Sequence, residues 1–96
     1  MLVSQMTINN IISTLLQNAQ NADGSKLTQV MLAKILTHKY GKEVSPAALN
    51  DRLKNENMKV NTAIEMLDIL GYDLIAVPRN PQNDQYLIQR GGKRDR

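Results

Sequence analysis

A chain of 96 residues with 42% apolar residues and a net charge of +3 has room for one hydrophobic core, and so for one domain. Its three aromatic residues are all tyrosine, which leaves Leu, Ile, Val, Met and Ala to fill that core and favours helices packed on helices. The lack of cysteine excludes a disulfide framework and a thiolate metal site. No apolar run reaches the roughly 18 residues of a membrane span and residues 1–6 lack the features of a secretory signal, so a soluble cytoplasmic protein is expected.

In chain order, Ile8, Ile11, Ile12, Leu15, Leu16 and Ala19 recur at the spacing of one helical face. Thr7 is placed to cap that helix, Met6 and Ile11 to staple its entry, and Gly24 to stop it. A second helix follows the same grammar. Thr28 caps, Leu27 and Leu32 staple, Ala33, Ile35 and Leu36 continue the stripe, and Gly41 ends it after Tyr40.

Ser45 and Pro46 announce a third helix, with serine as cap and proline at the first helical position, where its missing N–H costs nothing. Val44 and Leu49 are its staple, and only Ala48, Leu49 and Leu53 are expected to point inward. Ala47, Asn50, Asp51 and Lys54 are left on an outer face. Residues 55–57 read as a turn, Met58 and Val60 as apolar anchors, and Asn61 as the cap of a fourth helix. The inner face of that helix would be Ala63, Ile64, Leu67 and Leu70, with Glu65 and Asp68 turned to solvent and Gly71 closing it.

Beyond Gly71 the period becomes strand-like at Tyr72, Leu74, Ile75 and Val77, passes through a turn-rich stretch at 78–84, and resumes at Tyr86, Leu87 and Ile88. The expected architecture is mainly α, four helices with a C-terminal β-hairpin: residues 1–71 a helical domain, 72–90 the hairpin and 91–96 a disordered basic tail. Charge is segregated along it. Residues 26–59 carry seven cations against three anions and residues 84–96 four against two, whereas residues 1–25 and 60–83 are net acidic. A basic middle and tail suit a polyanionic partner.

Two helices joined by a turn, the second capped by serine and bare of bulky outward groups, suit entry into the DNA major groove, which is about 12 Å wide and accepts one helix. Here the chain resembles the Xre/Cro-type, lambda-repressor-like helix-turn-helix proteins. The resemblance rests on Leu27-Thr28-Gln29, Leu32-Ala33-Lys34-Ile35-Leu36, Val44-Ser45-Pro46-Ala47-Ala48-Leu49-Asn50, Asn57-Met58-Lys59-Val60-Asn61-Thr62 and Leu70-Gly71-Tyr72. One departure is plain: the family places a glycine directly after the position of Leu36, whereas here residues 37–43 intervene and Gly41 takes the glycine's role.

The resemblance implies a sequence-specific binder of double-stranded DNA, a repressor from a phage or mobile element acting as a homodimer on a palindromic operator. It places Thr28 and Gln29 at a phosphate, with Ser45, Pro46, Ala47, Asn50 and Asp51 at the reading end of the third helix. Arg52, Lys54, Asn55, Asn57 and Lys59 would make backbone contacts, while Lys42, in the long turn where the chain departs from the family, could bind a phosphate or equally be a solvated surface lysine. Asp51 could equally be a solvated acid, Arg52 a partner for Glu56, and His38 an exposed helix residue.

An enzyme is not expected, because the chain has one histidine, no cysteine nucleophile and no phosphate-binding glycine loop: Gly91-Gly92-Lys93 lacks the flanking strand and helix. No metal or cofactor is expected either. The competing expectation is an antitoxin-like module that uses the same scaffold to bind a protein, through a hairpin that could also join two copies of the chain. RNA ranks below both, for want of exposed aromatics that stack on bases.

Overall fold

Four helices, α1 (Ile8–Gln17), α2 (Gln29–Tyr40), α3 (Pro46–Lys54) and α4 (Val60–Leu70), precede an antiparallel pair, β1 (Ile75–Ala76) and β2 (Tyr86–Leu87). This is a computed structural model, and it describes residues 5–41, 43–80 and 84–91. The mainly helical chain with a terminal hairpin is therefore present. Lys42 and the segment 92–96 lie outside the described residues.

α1 buries Ile12 and Leu16 and packs Ile8 and Leu15 against the same core, with Ala19 following just past its end. Thr7 occupies the cap position, where its carbonyl accepts the Ile11 N–H at 3.0 Å, but its hydroxyl makes no capping bond and Met6 stays exposed. The helix stops at Gln17, well before Gly24. The backbone has another partner there: the Leu27 N–H donates to the Ala19 carbonyl at 3.1 Å, and Gln20 bridges to Lys26. Gly24, at a φ of +87°, turns that loop rather than ending the helix.

α2 begins and ends as expected. The Thr28 hydroxyl accepts the Met31 N–H, and Gly41 adopts the left-handed conformation at a φ of +71° with its N–H on the Thr37 carbonyl. The long connection to α3 is held by one side chain. Thr37 Oγ1 donates to the Ala33 carbonyl at 2.9 Å and accepts the Val44 N–H at 2.9 Å, which pulls Val44 into the core. α3 then starts at Pro46 with the Ser45 hydroxyl accepting the Ala48 N–H, and it buries Leu49 and Leu53.

α4 departs from expectation at its head. Asn61 lies in its first turn, and Lys59 holds the cap position without a side-chain bond. Val60 is exposed, so Met58, half-buried against the core, is the apolar anchor of this connection by itself. The buried face is Ala63, Met66 and Leu67, with Ile64 and Leu70 only half-buried. Glu65 is not turned to solvent: its carboxylate is largely buried and pairs with Arg90 beyond the hairpin. Asp68 is exposed but engaged, accepting from Lys39 and, at 3.1 Å, from the Tyr40 hydroxyl.

The core is centred on Ile12, Leu32, Leu49 and Met66, the largest fully enclosed side chains, one from each helix. α1 and α2 each pack on both α3 and α4. A polar residue, Asn9, enters this core. Asn9 is buried, its Nδ2 donating to the Leu53 carbonyl at 3.1 Å, which ties the head of α1 to the last turn of α3. In the hairpin, Ile75 pairs with Leu87 and Ala76 with Tyr86, and the Ile88 N–H on the Leu74 carbonyl extends the ladder.

Leu49→Ala should cost about 2–5 kcal/mol of unfolding free energy in a urea titration, because it removes buried methyls and leaves a cavity. Val77→Ala, at a residue 56% exposed, should change stability by no more than about 0.5 kcal/mol.

Candidate nucleic-acid interface

The side chains singled out in the sequence fall into three places. Thr28, Gln29, Asn50 and Lys54 line one groove, where the C-terminal part of α1 meets the first turn of α2 and the middle of α3, with Leu16, Leu27 and Leu53 at its floor. Ser45 and Pro46 line a second groove with Val30, Lys34, Thr37 and His38 of α2. Ala47, Asp51, Arg52 and Lys54 are exposed along α3, and Asn55, Asn57 and Lys59 are exposed on the connection to α4.

Local sequence explains these placements. Because only Leu49 and Leu53 of α3 are fully drawn into the core, with Ala48 half-buried beside them, most of a nine-residue helix faces outward. α3 rests on α1 and α2, while the hairpin end is bonded to α4 through Arg90 and Gly91. The two lie on different flanks of the bundle. Asn50 is the exception to the outward set, half-buried at the wall of the first groove rather than fully outward.

Several polar groups are already committed. The Thr28 and Ser45 hydroxyls cap their own helices, each accepting a backbone N–H of the first turn. Asn55 Oδ1 accepts the Asn57 N–H at 2.9 Å, which fixes the turn after α3. Arg52 and Lys54 sit in the last turn of α3, where cations oppose the negative end of the helix dipole. Among the described residues no Arg52–Glu56 ion pair forms, which leaves the guanidinium on the surface.

The first groove also holds residues that periodicity could not place, namely Ser13, Gln17 and Lys26. The Lys26 ammonium donates to the Gln17 carbonyl at 2.8 Å, capping the end of α1 and bringing a cation to the groove where α2 begins. Its position two residues before the Thr28 cap was a usable signal; Ser13 and Gln17 had none. Among the described residues, no group of three metal-ligating side chains converges and no helix is long and apolar enough to cross a membrane.

The electrostatics of the neighbouring loop are set locally. Asp23 accepts the Ser25 hydroxyl at 2.6 Å and the Ser25 N–H at 2.9 Å, and these bonds hold its carboxyl below the ordinary aspartate value. No protein-family profile, curated protein or solved structure matches the chain.

Because folding lowers the affinity of Asp23 for its proton, its contribution to the loop is complete above the ordinary aspartate value of about 3.9 and disappears as pH falls through the lower folded value. A carboxyl titration followed by NMR should place the Asp23 midpoint below that value, and Ser25→Ala should move it back up.

Proposed function

We propose that the chain is a sequence-specific double-stranded DNA-binding regulator of the lambda-repressor-like helix-turn-helix kind, a repressor that occupies a palindromic operator as a dimer. The observation that carries this reading is the bare outer side of α3, where Ala47, Asp51, Arg52 and Lys54 are exposed while Leu49 and Leu53 anchor the opposite side. A helix held this way can lie in the major groove with its outward side chains against base edges.

In this reading Ala47, Asn50 and Asp51 meet the bases: alanine a thymine methyl, asparagine an adenine edge, aspartate a cytosine amine. Arg52, Lys54, Asn55, Asn57 and Lys59 contact phosphates, and the head of α2 at Gln29 supplies backbone N–H groups to another. Such contacts set orientation without reading sequence.

The dimer would form through the hairpin. Tyr72, Ile75, Val77, Tyr86 and Leu87 are all exposed, on and beside two strands whose outer edges are free among the described residues. Pairing two hairpins about a two-fold axis sets two copies of α3 on successive major grooves, about 34 Å apart. The same exposed residues support the second reading, in which the hairpin takes a protein partner and the scaffold is antitoxin-like.

A mobility-shift titration on duplex DNA at several salt concentrations separates the two readings. Affinity should fall steeply with salt because neutralised phosphates release counterions, and the absence of a shift at low salt would favour the protein-binding reading. On fragments selected from a random pool, Asn50→Ala should cost about 1–3 kcal/mol against the selected site only, whereas Lys54→Ala should weaken all sequences and reduce the salt slope by about 1. Ile75→Lys with Leu87→Lys should convert a dimer to a monomer in sedimentation, by placing charge in the apolar contact.

A further inference from the structure

The groove where α1, α2 and α3 meet has a volume of about 410 Å³, within the roughly 300–1,000 Å³ of sites that hold small molecules. Its floor is apolar: Leu16, Leu27 and Leu53, each no more than 6% exposed, come to it from three separate segments of the chain. Its charged side chains are cations. Lys26 and Lys54 line it, and among the described residues no acidic side chain does. The Gln17 carbonyl, at 2.8 Å, holds the Lys26 ammonium in place and leaves it two further N–H donors. Asn50 stands half-buried in the wall, and among the described residues its amide makes no hydrogen bond. The second groove, beside α2, is similar in size at about 460 Å³, but there Glu43 stands against Lys34 and His38.

A DNA phosphate can use the two lysines of the first groove but not its leucines, because a phosphodiester has no hydrocarbon body to lay on them. An organic acid uses both. Its hydrocarbon part leaves water for the leucine floor, while its carboxylate accepts charge-assisted hydrogen bonds from the ammonium groups. We propose that this groove binds a small amphipathic carboxylate with the chemistry of a medium-chain fatty acid, and that its occupation excludes DNA because Asn50 and Lys54 serve both. The exclusion, though not the site itself, rests on the DNA-binding reading above. Such coupling is reciprocal: the factor by which the acid lowers DNA affinity is the factor by which DNA lowers affinity for the acid.

The test is an amide-resolved NMR titration of the full-length chain with octanoate, run beside 1-octanol, acetate and inorganic phosphate. Octanoate should give saturable shifts clustered at residues 26–29 and 50–54. It should bind about tenfold more tightly than 1-octanol or acetate, each of which lacks one half of the recognition. Lys26→Met with Lys54→Met should weaken octanoate about tenfold and leave 1-octanol unchanged, and the spectrum itself reports whether the variant is folded. In a mobility shift at fixed salt, octanoate should release bound duplex where an equal concentration of acetate does not. Shifts centred on the hairpin, a lack of saturation, or equal affinity for 1-octanol or inorganic phosphate overturn the site and leave the DNA reading intact. Octanoate held in the groove with the duplex still bound overturns the exclusion. A chain that takes octanoate in the groove and binds no duplex keeps the site and overturns the DNA reading.

Discussion

Four side chains, one per helix, meet at the centre of the protein, and the rest of the structure depends on their contact. Ile12, Leu32, Leu49 and Met66 are fully enclosed, and none of the four helices, nine to twelve residues long, would persist in water without such an apolar stripe to bury. With no phenylalanine or tryptophan, the enclosure relies on branched and thioether side chains closely interlocked. The core is small, and its economy has a consequence for α3: two leucines hold the helix, so most of its remaining surface stays exposed.

A second layer of polar contacts fixes where each helix begins and how the connections run. Thr28 and Ser45 cap α2 and α3, Thr37 closes the connection between them, and Asn9 ties α1 to the end of α3. Each satisfies a backbone group that the short helices or the connection between them would otherwise leave open. Together they define the orientation of α3 against α2, the relation on which a groove-reading role depends.

The hairpin is fastened elsewhere, at α4. Its attachment comes from α4 and the end of α2, through Glu65 and Arg90, Asn61 and Gly91, and the Tyr40 ring beneath the Arg90 guanidinium, while its own strands pair over two residues each. A two-stranded ribbon of that length is marginal by itself, so these contacts and its exposed apolar side chains govern its use.

Sequence alone determined the number of helices, the start of α2 and α3, the glycine ends at Gly41 and Gly71, and the exposed face of α3 apart from Asn50, because each is a local matter of caps, spacing and backbone freedom within a few residues. Tertiary structure decided the rest. α1 ended early because Ala19 found a backbone partner in Leu27, Glu65 was drawn inward by an arginine 25 residues away, and Lys26 and Gln17 reached the groove beside Asn50 by folding across the bundle. Those outcomes depend on contacts between distant residues, and periodicity along one helix carries no record of them.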